Sequence, residues 1–254
     1  MTSPSAFETA ESLAIPSSTP LVIAPKSRIL NIEPSSKSRL VFLNDPVGLA
    51  AEQYKILRRR LIILRPQGGV LLITSPGPAE GKTLTSVNLA WALADAGHRT
   101  CLVDLDFRAP GVSRTLGCSI EGDSVEDVLK GRRKVSEAVR QIGETRIHVL
   151  ASRHRLDSPG NLLSPAVMVP ALAELRSMFH WVILDFAPVI PMADVGDVLP
   201  HVDSAILVIR SGKTVAKMVP PSLEILGTKL CGVVLNDAPI KGSAYYGGYG
   251  NHRG

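Results

Sequence analysis

Gly81-Lys82-Thr83, aspartates at 104, 106 and 185, and tyrosines at 245, 246 and 249 are the residues of this chain whose types and spacing suit chemistry. The first group closes the turn Thr74-Ser-Pro-Gly-Pro-Ala-Glu-Gly-Lys-Thr83. A loop of this kind wraps phosphates in successive backbone N–H groups, lets its lysine reach the β- and γ-oxygens, and offers the hydroxyl of its last residue to Mg²⁺. Gly77, Pro78, Ala79, Glu80, Gly81, Lys82, Thr83 and Leu84 are therefore the expected nucleotide cradle. Pro76 stands where the generic phosphate-loop pattern has glycine. On its own, Gly-Lys-Thr fits equally a helix N-terminus after a glycine turn; the context decides for phosphate.

That context is a strand before the turn and a helix after it. Leu71-Leu-Ile73 rises into the loop, and Val87, Leu89, Ala90 and Leu93 follow as a helix pattern. Thr100-Cys-Leu-Val-Asp-Leu-Asp-Phe-Arg108 reads as a second strand ending in two carboxylates and an arginine, beside the ligand crevice of an open α/β sheet. Asp104 and Asp106 could instead cap the next helix. A third strand, His180-Trp-Val-Ile-Leu-Asp185, ends in an acid about a hundred residues after the loop, as a Walker B strand does to hold Mg²⁺ through water.

The remaining pattern predicts one or two short polar helices over 124–142, a strand over 145–150, and a helix pair over 161–179 broken near Ser164-Pro165. Strands follow at 204–209 and 230–236, with a helix over 214–226 between them. Continuous apolar strands alternating with helices indicate an α/β fold with a doubly wound, mostly parallel sheet of the P-loop NTPase type. Ahead of it, Ala50, Tyr54, Leu57 and Leu61 form one helical stripe, on which Tyr54 is a packing residue. Glu52, Lys55 and Arg58 lie on the opposite face.

Residues 1–44 carry nine serines and five prolines up to Ser38 and little periodicity, which predicts a disordered arm. The folded domain is expected over 45–240. Residues 241–254 form a Gly/Tyr-rich tail holding three of the four tyrosines. By composition alone that tail could be low-complexity sequence without chemistry. With 254 residues and 45% apolar content the chain supports one substantial core. The +5 net charge gathers in runs such as 55–60 and 132–134, without the interleaved aromatics of single-stranded nucleic-acid binders; no nucleic-acid partner is expected. Three cysteines without metal-ligand spacing suit a reducing cytosol. No run of 18 apolar residues and no signal peptide are apparent, so membrane work would need a partner.

Together these motifs resemble the bacterial tyrosine kinase family, the P-loop kinases controlling exopolysaccharide and capsule export. The resemblance spans about residues 46–249. The loop is similar to the family's Walker A, which also lacks the early glycine. Leu102–Pro110 resembles its Walker A′ with Asp-x-Asp-x-Arg-x-Pro, Val182–Val189 its Walker B, and Gly232–Asn236 the strand ending at the adenine pocket. Glu52-x-x-Lys55-x-x-Arg58 resembles the E-x-x-R-x-x-R helix through which members close into rings; lysine replaces the middle arginine and its planar fork. Phe186-Ala187 replaces the usual Thr-Pro after the Walker B aspartate.

The resemblance implies an ATP- and Mg²⁺-dependent protein-tyrosine autokinase regulating exopolysaccharide or capsular polysaccharide synthesis and export. Lys82, Asp104 and Asp106 would be catalytic, with Asp104 orienting or deprotonating the tyrosine. Thr83, Asp106 and Asp185 would hold the metal, and Asn236 would border the nucleotide. Tyr245, Tyr246 and Tyr249 would accept phosphate from a neighbouring subunit of a homo-oligomeric ring. A membrane-anchored polysaccharide co-polymerase would activate the chain and recruit it from the cytoplasm to the inner face of the membrane. The alternative is a MinD/ParA-like assembly ATPase, but Gly77 stands where that branch places a second lysine.

Overall fold

The computed structural model describes residues 28–35, 38–191 and 194–239. In chain order the elements are β1 (Ile29–Leu30), α1 (Val41–Asn44), α2 (Leu49–Leu64), β2 (Gly69–Thr74), α3 (Lys82–Asp95), β3 (Thr100–Asp104), α4 (Val112–Leu116), α5 (Val125–Leu129), α6 (Val135–Ala138), β4 (Arg140–Ile142), β5 (Ile147–Leu150), α7 (Gly160–Leu163), α8 (Pro165–Met178), β6 (Trp181–Asp185), α9 (Asp194–Val198), β7 (Ser204–Arg210), α10 (Val219–Leu226) and β8 (Leu230–Asn236). The eight strands form one sheet in the order β1-β4-β5-β3-β6-β2-β7-β8, parallel except between β4 and β5.

Both faces of the sheet are covered, which is why its central strands are apolar throughout rather than alternating. Leu71 and Ile73 of β2, Leu102 of β3, and Trp181 and Ile183 of β6 pack towards α2, α3 and α4. Their neighbours Val70, Leu72, Cys101, Val103, Val182 and Leu184 pack towards α5, α6, α8 and α10. Tyr54 packs against the first of these cores, and burial pushes its phenol above the ordinary tyrosine range. All three cysteines are free.

The sequence expectations are corrected at three places. The arm expected to extend to residue 44 joins the fold from residue 28: β1 pairs with β4, and the buried Leu40 and the bond from the Val41 N–H to Asn88 Oδ1 tie α1 to α3. The polar stretch over 124–142 gives two helices, at whose starts Asp127 accepts the Ser124 N–H at 3.1 Å and Glu137 the Lys134 N–H at 3.0 Å, and its last residues then form β4 against β5. The helix expected over 214–226 begins only at Val219, after a 3-10 turn at 216–218, because Pro220 and Pro221 have no N–H to donate and fit only its first turn.

Candidate active site

The central strands bring the acids to one place. In the β3–β6 register Asp104 lies opposite Asp185, and Asp185 is likewise opposite Ile73 of β2, whose strand runs into the phosphate loop. The loop ends at Gly81 in left-handed conformation (φ +96°), from which α3 starts with Lys82. A cavity of about 610 Å³ opens over this junction. One wall is Pro78, Ala79, Gly81, Lys82, Thr83 and Leu84. Facing it are Asp106, Arg108, Ala109, Arg114 and Thr115, and Ala187, Pro188, Ile190 and Pro191 complete the lining. The Phe186-Ala187 departure thus splits between a buried phenylalanine and a cavity-wall alanine.

Lys82 Nζ lies 2.5 Å from Asp106 Oδ2, both side chains being largely buried. Burial works against the ammonium charge, yet Asp185, Asp106 and Asp104 together hold the lysine above its ordinary range. Ser86 Oγ, one turn along α3, lies 3.1 Å from Asp185 Oδ1. Asp185 Oδ2 is buried and has no hydrogen-bond partner. Burial pushes Asp185 up to about 6, despite the opposing pull of Lys82. Such an orphaned oxygen beside a phosphate loop and a threonine hydroxyl fits a hydrated Mg²⁺. Among the described residues no cluster of three or more His, Cys, Asp or Glu makes a ready cage.

Asp104 is the residue to which the resemblance assigns the tyrosine. It is fully buried and does not line the cavity. Its Oδ2 accepts the N–H groups of Gly111 and Val112 at 3.0 Å each, and its Oδ1 that of Asp106 at 3.2 Å. It therefore caps the start of α4 from a distance and fixes the turn carrying Asp106, the capping role that residue type also allowed. Burial, with the charge of Asp185, pushes it up to about 8 against the pull of those amides.

Three members of the expected nucleotide cradle stand behind the wall. Glu80 turns back to accept the Gly77 N–H at 3.1 Å, and burial raises its pKa. Asn236 Nδ2 donates to the Glu80 carbonyl at 3.0 Å, so Asn236 braces the loop from the end of β8. Arg210, which sequence reasoning missed, donates to the Ala79 carbonyl at 3.3 Å while paired with Asp237 at 2.9 Å. Ser86 was also missed, although it lies four residues after Lys82 on the same helix face. Arg108, quoted only as part of a motif, is pinned by Asp194 Oδ2 and the Asp157 carbonyl, each at 2.9 Å.

This bracing yields a direct expectation for Gly81→Ala. An added Cβ would lie 2.0 Å from Asn236 Nδ2, at a backbone angle that costs an L-residue about 1–2 kcal/mol. The Asn236–Glu80 bond must break, and titration with a fluorescent ATP analogue is expected to show roughly tenfold weaker binding with the fold intact by circular dichroism.

The residues expected at a ring interface sit on α2. Lys55 Nζ pairs with Glu52 at 2.8 Å and donates to the Pro46 carbonyl. Arg58 turns towards α3, donating to the Ala92 carbonyl at 3.0 Å and pairing with Asp95 at 3.2 Å. Tyr245, Tyr246 and Tyr249 lie outside the described residues.

Comparison with known proteins agrees with this geometry. Residues 71–239 match the model of the CobQ/CobB/MinD/ParA nucleotide binding domain. The chain is 31% identical to the tyrosine-protein kinase YwqD of Bacillus subtilis over 223 residues, covering 83% of this chain and 91% of that protein. It is 30% identical over 174 residues to ExoP of Rhizobium meliloti, named a succinoglycan biosynthesis transport protein, covering 66% of this chain and 22% of ExoP. Among solved structures, the VpsO kinase domain superposes with a TM-score of 0.68 at 30% identity, covering 75% of this chain and 96% of that one. The nucleotide-binding P-loop architecture, the order of its acids and these relatives coincide over one stretch of sequence: the chain belongs to the bacterial tyrosine kinase family.

Proposed function

We propose that this chain transfers the γ-phosphoryl group of ATP to tyrosine hydroxyls, first those of its own tail, and thereby regulates export of an extracellular polysaccharide. The observation that carries the reading is the buried Lys82–Asp106 pair on the cavity wall, one strand away from a carboxylate oxygen with no partner. In the reaction the phenol oxygen of tyrosine bonds to the γ-phosphorus, the bond from that phosphorus to the bridging oxygen breaks, and ADP leaves with the electron pair. The transition state is loose, so positioning and charge neutralisation supply most of the catalysis. Lys82 turns from Asp106 to the β- and γ-oxygens. Asp106, the carboxylate that lines the cavity, orients the phenol and receives its proton; Asp104 positions Asp106. Thr83 and Asp185, with Asp106, would hold Mg²⁺, which supplies charge neutralisation at the phosphates when bound.

Tyr245, Tyr246 and Tyr249 belong to the same chain as the site, and tethering such acceptors in a ring presents them to an adjacent site at high effective concentration. The pairs made by Glu52, Lys55 and Arg58 are partly exposed, so exchanging them for contacts across a ring costs little. Phosphate on each tyrosine adds nearly two negative charges, which oppose the acidic site and favour ring opening. Among the described residues no helix is long and apolar enough to cross a membrane. ExoP, named a succinoglycan biosynthesis transport protein, supports a role in polysaccharide export in which a membrane-anchored co-polymerase recruits and stimulates the kinase.

Replacing Tyr245, Tyr246 and Tyr249 together with phenylalanine tests the acceptor assignment. Incubation with Mg-ATP labelled at the γ-position is expected to lose nearly all incorporated phosphate relative to the parent. Undiminished labelling would sink the tail as acceptor, and hydrolysis without any phosphotyrosine in the parent would favour the assembly ATPase.

A further inference from the structure

The charges on the cavity wall are compensated, with one exception. Lys82 is matched by Asp106 and Arg108 by Asp194. Arg114 lines the same cavity and is exposed, and its guanidinium has no ion-pair or hydrogen-bond partner among the described residues. Its place is not incidental. Helix α4, which carries it, starts at the amides held by Asp104, and a Cβ on Gly111 would lie 3.0 Å from Thr83 Oγ1. Arg114 follows Gly111 by three residues, roughly 4.5 Å along the helix axis. The backbone of Arg114 is thus about one turn of α4 from Gly111, which adjoins the Thr83 hydroxyl, and both Arg114 and Thr83 line the cavity.

An unmatched arginine at the mouth of a site calls for an anion on the incoming acceptor. The tail contains none: residues 241–254 include no aspartate or glutamate, and their charged side chains are Lys241 and Arg253. The one anionic group the tail can acquire in this reaction is the phosphate placed on a neighbouring tyrosine. Tyr245 and Tyr246 are adjacent and Tyr249 is three further on, so a phosphate on one stays near the mouth while another enters.

We propose that Arg114 is a recognition position for an aryl phosphate, so that a tail already carrying one phosphotyrosine binds more tightly than an unmodified tail. The proposal rests on the tail being the acceptor. A guanidinium meets the phosphate oxygens in a planar, bidentate geometry, worth more than a point charge. One arginine matches one phosphate; further phosphates find only the acidic groups of the site. The first modification therefore promotes the second, and a fully modified tail is released.

The test uses the full chain with Tyr245, Tyr246 and Tyr249 changed to phenylalanine, loaded with Mg²⁺ and a non-hydrolysable ATP analogue. Fluorescence anisotropy compares peptides of sequence 241–254, unmodified and phosphorylated at Tyr246. The phosphopeptide is expected to bind about tenfold tighter, the scale of one charge-assisted contact. In Arg114→Gln the ratio of the two affinities falls to about one, and Arg114→Lys restores part of it. Equal affinities in the parent, no binding of either peptide, or a ratio that survives in Arg114→Gln overturns the proposal. A loss of ATP-analogue affinity in Arg114→Gln with the peptide ratio unchanged overturns it too, placing Arg114 on the nucleotide. The acceptor assignment is judged separately, by the labelling of the tail tyrosines.

Discussion

Changing Lys82 to methionine is expected to lower phosphoryl transfer by at least about 10²- to 10³-fold, the scale lost with one preorganised charge at a developing oxyanion. It is also expected to make the ligand-free protein less stable, and increasingly so at higher pH. The reason is the setting of the lysine: its ammonium is the cation facing Asp104, Asp106 and Asp185, two of which are already held above the ordinary aspartate range. Removing one partner of a buried pair costs about 3–5 kcal/mol where the remaining charge cannot escape. The carboxyls escape by keeping their protons. A carboxyl whose pKa is raised in the folded state favours folding while protonated, and that stability is lost as pH rises through the folded value. With Asp185 at about 6 and Asp104 at about 8 in the parent, against an ordinary 3.8, melting temperature should fall between about pH 4 and 8, and the fall should extend to higher pH in the variant, where Lys82 no longer pulls these values down. Thermal denaturation across that range checks this. Parallel pH profiles would mean that Lys82 and the acids are not coupled as the geometry indicates.

Asp185→Asn should separate stability from function in the opposite sense. The carboxylate is wholly buried, Ser86 approaches one oxygen, and the other has no partner. A neutral amide of the same shape removes the cost of burying that charge. The ligand-free variant is expected to gain about 1 kcal/mol, seen as a rise of about 2–4 °C in melting temperature. Its further rise on adding Mg²⁺ with ADP should shrink sharply compared with the parent, and phosphoryl transfer should fall about 10²-fold. A drop in ligand-free melting temperature together with an intact Mg²⁺ effect would show that Asp185 holds structure rather than metal. Its unpartnered oxygen is what argues for metal, since a structural carboxylate in such a place would be expected to have its bonds filled, as those of Asp104 are.

That contrast marks what the sequence could and could not convey. The central strands were legible because full burial on both faces leaves an uninterrupted apolar run, and each run ended on its chemically useful residue. The assignment of Asp104 and Asp106 to separate duties was not, because both are aspartates at one strand end. Only the amides of Gly111 and Val112, seven and eight residues on, show that one is consumed in holding α4 while the other faces the cavity. Strands β1 and β4, of two and three residues, are too short to carry a period, and their existence depends on β5 offering an edge. Arg210 and Asn236 brace the loop from more than 130 residues away, a contact that no local pattern encodes. Ser86 was within reach, since helical spacing from Lys82 and Thr83 places it on the same side of α3.

The central claim is that the site built on Lys82, Asp106 and Asp185 serves tyrosines at the far end of the chain. It is tested most directly by mass spectrometry of the protein isolated from its own cells, parent and Lys82→Met compared, with the 241–254 peptide mapped for phosphate. Phosphate is expected on Tyr245, Tyr246 and Tyr249 in the parent and on none of them in the variant. An unmodified tail in the parent, or equal modification of both proteins, would contradict it.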